Sequence, residues 1–307
     1  MSGPPLSRTR DLVAQLRRQL GEADPMPPRA PLPPVELPPQ RVFPSPSRRS
    51  RTADLAAAHT TALVGIGSVG TRYATDVVLQ FQAELAVAHG AVAAELPSEW
   101  AEAQGYVSIV SRVSSHREFL LRPDLGRRLA PESAERWAAE CRKEVDVQPI
   151  LADGLSAVAT LGAGPALMAA FIAECEKRGF STGTPVCARY ARVWLQDEIG
   201  EIARAKVAVI LLGERPGLGT GDGLSAYLVY QPRIGNTDGS RNMLSNIHNR
   251  GIPPADAARR LAVMAQLMLE QRTSGVNLDL APRAAELGDA ARAGYRAPQV
   301  RTRLVED

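Results

Sequence analysis

The sequence predicts an α/β protein with a Rossmann-like (flavodoxin-like), doubly wound parallel sheet. From residue 145 onward, apolar runs of strand length alternate with helical segments in the order βαβαβ, which is typical of such sheets. The runs 207–212 and 224–230 are rich in Val, Ile and Tyr and are bounded by glycines. Continuous apolar runs of this kind are typical of strands buried on both faces.

Each element has its own signal. We predict strands at 147–151, 185–193 and 207–212, separated by a helix that ends at Gly179 and a helix at 197–205. Pro253 begins a closing helix that reaches Arg272. Earlier in the chain, the pattern predicts a helix at 75–89, an edge strand near 107–113 and a helix from Pro123 toward residue 142.

The chain divides into four parts by composition. Residues 1–52 hold nine Arg and many prolines and predict a disordered tail, within which residues 11–20 alone have helical spacing and are read as a fraying tail or a docking helix. Residues 53–144 predict a mainly helical region, and residues 145–279 the Rossmann-like domain. Residues 280–307 show no clear pattern and predict a loose C-terminal tail.

Charge and cysteine usage narrow the class of protein. The net charge is +3, but residues 1–52 carry nine Arg against four acids, so the remainder is near −2. A nucleic-acid binder would need its basic residues on the folded part. The three cysteines have no metal-ligand spacing and indicate buried thiols in a reducing compartment. No signal peptide or membrane-spanning run is recognisable, which favours a cytoplasmic protein.

Polar loops at strand ends are the best candidates for a site, because open α/β sheets bind ligands there. The candidates are the turn at Asp153, the loop that begins with Glu214, and the loop from Met243 to His248. Asp153 is read equally as a helix N-cap. Glu214 is read as a ligand contact or as the partner of Arg215 or a helix N-terminus, and His248 as structural. His116 is interpreted as a surface residue.

The segment GIGSVG at 65–70 matches the GxGxxG pattern of dinucleotide-binding proteins. A dinucleotide site would also need an acid after a second strand, and Glu84 falls inside a helical pattern instead. A glycine turn at a helix start therefore competes with a nicotinamide site. No nucleophile motif, phosphate loop or metal-ligand motif is present, so we predict neither catalytic residues nor a metal site in this chain.

Several consecutive segments resemble one known family, the small subunit of ethanolamine ammonia-lyase. The similarity covers about residues 96–278 and is weaker at 60–96. The segments that carry it are AQGYVSIVSRVSSHREFLLRPDLGRRL, DVQPILADGLSAVA, GTPVCARYARVWLQDEIGEIARAKVAVILLGERPGLG, LSAYLVYQPR, LSNIH and MLEQRTSGVNL.

The resemblance implies an adenosylcobalamin-dependent lyase that converts ethanolamine to acetaldehyde and ammonia. In such enzymes a large TIM-barrel subunit carries the substrate chemistry, the small subunit closes over the cobalamin, and the assembly is a trimer of dimeric units. The family's cobalamin-binding positions correspond to Val193, Glu214 and Met243, the last in place of a usual Cys. The resemblance also implies a cytoplasmic protein that is often enclosed in a bacterial microcompartment.

Two other classes of function stay open from the sequence. A nicotinamide-dependent oxidoreductase would use GIGSVG. A non-catalytic flavodoxin-like scaffold would keep the fold without the cofactor, which the departures at residues 65–75 and at Met243 allow.

Overall fold

The computed structural model describes residues 68–217, 221–249 and 251–288, which form a six-stranded mixed sheet with helices on both faces. The predicted α/β class is confirmed. The predictions for residues 1–52, for the first three residues of GIGSVG and for residues 289–307 lie outside the described part of the chain.

The elements follow the chain in the predicted alternation of helix and strand. Their bounds are α1 Thr75–Ala93, α2 Trp100–Ala103, β1 Val107–Val110, α3 His116–Leu121, α4 Pro131–Glu140, β2 Val147–Ala152, α5 Ala157–Lys177, β3 Val186–Arg189, α6 Leu195–Ala203, β4 Val207–Gly213, β5 Leu224–Tyr230, β6 Arg241–Ile247 and α7 Pro254–Gln271.

The strand order is β1-β3-β2-β4-β5-β6. The first four strands are parallel, as predicted, but β5 runs antiparallel to β4 and β6 antiparallel to β5. The fully parallel sheet predicted from the sequence is therefore corrected to a mixed one. A reversal at β4 is possible because the connection to β5 is a loop without a crossover helix.

Helices cover the sheet from both sides. On one face, α5 and α7 pack over apolar side chains of β2, β4 and β5, and Phe171, Leu261 and Met268 are buried there. On the other face, α4 and α6 pack over β1, β2 and β4, and the buried indole of Trp137 donates to the Ile199 carbonyl at 2.9 Å. Helix α5 is long and apolar enough to cross a bilayer, but its buried side chains belong to this core.

Three boundaries differ from the predictions. The helix predicted from Pro123 begins at Pro131, and β3 is shorter than predicted. Most of the loop predicted from Met243 to His248 belongs to the edge strand β6. The end of the closing helix is as predicted: α7 runs to Gln271, and Arg272 follows it in the left-handed conformation (φ 55°).

The last described residues, up to Gly288, also pack onto the fold. Leu280 and Leu287 contact the apolar cluster beneath α7, and Arg283 forms an ion pair with Glu286. The segment assigned from the sequence to the C-terminal tail therefore begins with a packed stretch that reaches Gly288.

Two glycines set the distance between the loops that follow β2 and β4. Gly154 has a positive φ of 54°, and a Cβ there would overlap the backbone of Gly213. A Cβ on Gly213 would in turn overlap the carbonyl oxygens of Asp153 and Ser156. The Leu155 N–H donates to the Gly213 carbonyl at 2.9 Å. The two loops are therefore joined by a backbone hydrogen bond, with no side chain between them.

We expect Gly213→Ala to lower the free energy of unfolding by about 3 kcal/mol, because the atoms in the way are backbone and cannot rotate aside. Gly162→Ala is the matched control, since Gly162 lies in α5 with open space around its Cα. That change removes a helix-interior glycine and is expected to stabilise the chain by about 1 kcal/mol. Chemical denaturation of both variants measures the difference, and equal effects would contradict the close approach.

Candidate functional site

Asp153 joins the ends of β2 and β3. Its carboxylate accepts the backbone N–H of Tyr190 at 2.5 Å and that of Ala191 at 2.9 Å. The predicted N-cap role is wrong, because Ser156 caps α5 by accepting from the Ala159 N–H. Burial raises the pKa of Asp153 to about 6, against the lowering effect of the two N–H groups. Asp153 therefore fixes the loop that carries Val193.

Glu214 follows β4 directly, as the sequence predicts, and its side chain is half-buried. Its backbone N–H donates to the Gly223 carbonyl at 3.0 Å, which closes the base of the following loop. Its carboxylate accepts from the Tyr227 hydroxyl at 3.3 Å. This tyrosine, rather than the Arg215 that the sequence suggested, is its partner among the described residues.

Tyr227 also lies next to Met243. The two residues are directly opposite each other in the β5–β6 pairing, and Ile210 of β4 is opposite Tyr227 on the other side. Opposed residues project from the same face of a sheet. Met243 lies in a strand and not in the predicted loop, and its side chain is 50% exposed. Burial first, and then the charge of Glu214, raises the pKa of Tyr227 to about 12, so its hydroxyl keeps its proton.

Val193 lies in the loop between β3 and α6. It is partly buried and packs against the apolar cluster on the face that Tyr227 also contacts. Val193 and Glu214 follow the ends of β3 and β4, whereas Met243 lies within β6, opposite the middle of β5. Glu214 and Met243 are linked through Tyr227, whereas Val193 lies apart from them in the loop just before α6.

A buried ion pair supports this face from below. Arg241 of β6 forms two hydrogen bonds with Asp197 of α6, at 2.6 and 3.0 Å, and both side chains are almost fully buried. The Gln196 amide lies between the Tyr227 carbonyl and the Arg241 guanidinium, and the amide orientation that satisfies both groups donates to the first and accepts from the second, each at 3.0 Å. The start of α6 is thereby fixed to the two antiparallel strands.

Trp194 extends the same surface. Its indole N–H donates to Asp238 at 2.5 Å, and the guanidinium of Arg127 lies 4.6 Å from the centre of its ring. Arg192 stacks over Phe119 and donates to the Phe119 carbonyl at 2.7 Å. Aromatic and guanidinium groups therefore border Val193 on both sides.

The cysteines and histidines considered from the sequence lie in surroundings that give them structural roles. The three cysteines are free and buried, and burial raises the pKa of Cys175 and Cys187 to about 12. His248 is buried, with a ring nitrogen 2.6 Å from the Asn246 side-chain oxygen. His116 is partly buried at the start of α3, not on the open surface as predicted.

The described end of GIGSVG forms a turn. Gly70 has a φ of 63°, and Val69 and Arg72 pair across it just before α1. Glu84 is buried inside α1, as the sequence indicated, and does not follow a strand. The described residues thus show the glycine turn and lack the acid position that a dinucleotide site requires.

Sequence reasoning missed Tyr227, Trp194 and the Asp197–Arg241 pair. The sequence marks Tyr227 only as a strand-forming residue. In the structure it shares one face of β5 with Ser225 and Val229. Asp197 and Arg241 lie 44 positions apart, and nothing in their local sequences announces their contact. A tryptophan next to a predicted site residue was the one local signal available for Trp194.

The helix-flanked sheet, with a half-exposed stretch of its face on β5 and β6, defines an α/β protein with a mixed sheet. The sequence matches the family model of the ethanolamine ammonia-lyase light chain (EutC) over residues 51–279, and the chain belongs to that family. The resemblance noted from the sequence is confirmed. Membership makes the chain a subunit of an ammonia-lyase, and a light chain implies a larger partner.

The buried carboxyl group of Asp153 predicts a pH dependence of stability. Its folded-state pKa of about 6 lies above the ordinary value of 3.8, so the folded chain binds more protons between these values than the unfolded chain. Stability from this group is therefore present below about pH 4 and is lost as pH rises through about 6, by about 3 kcal/mol in all.

Urea unfolding at pH 4.5 and pH 7.5 tests this, with Asp153→Asn as the comparison because it cannot ionise. We expect the wild type to lose stability relative to the variant as the pH increases. A parallel course for the two proteins would show that the carboxyl group is already ionised at the lower pH.

Proposed function

We propose that this light chain binds adenosylcobalamin on the sheet face around Tyr227 and closes it against the large subunit. Val193, Glu214 and Met243 are the proposed contacts. One observation carries the proposal: Tyr227 joins Glu214, by a hydrogen bond, to Met243, by strand pairing, in a patch that stays half-exposed in the isolated chain.

The residues of this patch suit a corrin ring. A corrin is broad and largely apolar, and it carries amide arms around its rim. Val193, Met243 and the Tyr227 ring offer apolar surface, and methionine adapts its shape to irregular partners. The Glu214 carboxylate accepts hydrogen bonds and therefore suits an amide N–H, a charge-assisted bond worth about 1.5–3 kcal/mol.

When bound, the cofactor supplies a cobalt–carbon bond that breaks homolytically to give the radical that starts the reaction. The residues of this chain bind the cofactor and shield it from water. Glu214 is held by the strand end and by Tyr227, so its carboxylate is oriented before the ligand arrives. Val193 and Met243 exclude water from the covered face, which protects reactive intermediates.

The substrate chemistry belongs, in this proposal, to the large subunit. The conversion of ethanolamine to acetaldehyde and ammonia would take place in its TIM barrel, within a trimer of dimeric units. The site residues on the present chain include an acceptor, apolar groups and a protonated tyrosine, and this set serves binding better than proton transfer at neutral pH.

Glu214→Gln tests the contact directly. In the complex with the large subunit we expect cobalamin affinity to fall about tenfold to a hundredfold, because one oxygen acceptor becomes a donor. Tyr227→Phe, which removes only the orienting hydroxyl, should weaken binding by about fivefold and should add nothing to Glu214→Gln in the double variant. The measurement is a cobalamin titration followed by absorbance.

Tyr230→Phe is the matched control, since Tyr230 lies on β5 but packs toward the opposite face. It should leave the titration unchanged. Unaltered cobalamin affinity in Glu214→Gln would remove Glu214 from the site. Full additivity of Glu214→Gln and Tyr227→Phe would show that the tyrosine does not act through the carboxylate.

The purified chain alone should form no acetaldehyde from ethanolamine and adenosylcobalamin, because the proposed reaction centre lies on the partner. Addition of the large subunit should restore turnover. Acetaldehyde production by the single chain, above that of a Glu214→Gln preparation, would place the chemistry here and overturn the division of roles.

A further inference from the structure

Three arginines lie beside the proposed cobalamin surface and form no ion pair with any residue that the structure describes. Arg192 precedes Val193, Arg215 follows Glu214, and Arg127 stacks on Trp194. The loops of Arg127 and Arg192 touch, because the Arg192 N–H donates to the Gly126 carbonyl at 2.8 Å. The loop of Arg215 begins after Gly213, which accepts from the turn at Asp153, and Asp153 in turn binds the backbone beside Arg192. We call Arg127, Arg192 and Arg215 the arginine cluster.

Three arginines near the cluster have acidic partners. Arg122, Arg128 and Arg136 each form an ion pair, with Asp124, Glu198 and Glu140. Within the described part of the chain no ion pair is formed by Arg127, Arg192 or Arg215, and the Nε atom of Arg192 is buried without a hydrogen-bond partner. Three guanidinium groups without ion pairs thus lie near one edge of the site, and the buried Nε donor of Arg192 is unused.

Electrostatics agree with this geometry. Burial lowers the pKa of Arg192, and the charges of Arg127 and Arg215 lower it further, with Asp153 opposing them. Asp153 is a poor counter-ion, since both of its oxygens already accept backbone N–H groups. Like charges held together repel one another, and an incoming anion would relieve that repulsion.

We propose that the arginine cluster binds the phosphodiester of the cobalamin's nucleotide tail. This inference rests on the proposed function, because it places the tail beside the corrin contacts Val193 and Glu214. The tail carries the one negatively charged group of the ligand, and it is tethered to the ring rim, so it must lie near those contacts. Guanidinium groups bind phosphate oxygens with paired donors and suit this role better than ammonium groups.

The test compares two corrinoids in the complete complex with the large subunit: cobalamin, and cobinamide, which lacks the phosphodiester and nucleotide. The variants are Arg127→Gln and Arg215→Gln, alone and together, because both side chains are exposed and their loss spares the core. Arg233→Gln is the control, an exposed arginine in the loop after β5, at the opposite end of the sheet.

We expect each single variant to weaken cobalamin binding by about tenfold and to leave cobinamide binding unchanged. The loss should diminish at high salt, since exposed charges are screened. Arg233→Gln should behave as the wild type with both corrinoids.

Equal weakening of both corrinoids, together with weaker subunit association, would overturn the inference and assign the arginines to carboxylates of the large subunit. Unchanged binding of both would also overturn it. These failures are distinct from failure of the proposed function. If Glu214→Gln weakens both corrinoids while the arginine variants do not, the surface binds cobalamin without the cluster; if the wild-type complex binds neither corrinoid, the proposed function itself falls.

Discussion

The close approach of the loops after β2 and β4 is the constraint on which the rest of the structure depends. Gly154 and Gly213 leave no room for a side chain between them, so the ends of two central parallel strands are locked together. Asp153 then extends this lock to the next strand by binding the backbone after β3. Three loops acquire fixed positions from contacts that involve almost no side-chain surface.

Glu214 gains its position from this lock. It follows Gly213 immediately, and its own N–H is bonded across to Gly223 at the start of β5. The antiparallel turn from β4 to β5 then brings Tyr227 back beside it. In a fully parallel sheet the next strand would begin at the far edge, after a crossover helix. The reversal at β4 is therefore what places a carboxylate, a tyrosine and the edge residue Met243 together.

The sequence predicted strands β2, β4 and β5 and helices α5 and α7, because long apolar runs and apolar stripes at helical spacing are visible in the sequence itself. It placed β5 in a parallel sheet, which was wrong, since a run buried on both faces carries no signal for strand direction. Strand β6 was missed because its Asn and Ser residues are typical of loops. Asp153 and Ser156 are both good N-cap residues, and only the distance between β2 and β3 decides that Ser156 caps the helix.

Local sequence signals predict even less of the candidate site than of the fold. Glu214 could be singled out locally, as a carboxylate directly after a buried strand, whereas Val193 and Met243 came only from family resemblance. Tyr227, which links two of them, depends on strand register, and the buried Asp197–Arg241 pair depends on how α6 crosses β6. Removing one member of such a pair costs about 3–5 kcal/mol. It therefore holds the start of α6, and with it the loop of Val193 and Trp194, against the antiparallel strands.

A surface of this kind has a physical reason to belong to a subunit rather than to a complete enzyme. Its core is closed beneath α4 and α6, yet the same face continues to a half-exposed methionine and tyrosine on β5 and β6. The ends of β2, β3 and β4 beside it are held together by the Gly154–Gly213 contact and by Asp153, so these positions are set before a ligand binds. Preorganised groups gain affinity because the cost of ordering them is already met in folding. Under the proposed function, a large ligand held on such a face would have its other side open to water, and the partner chain would cover that side.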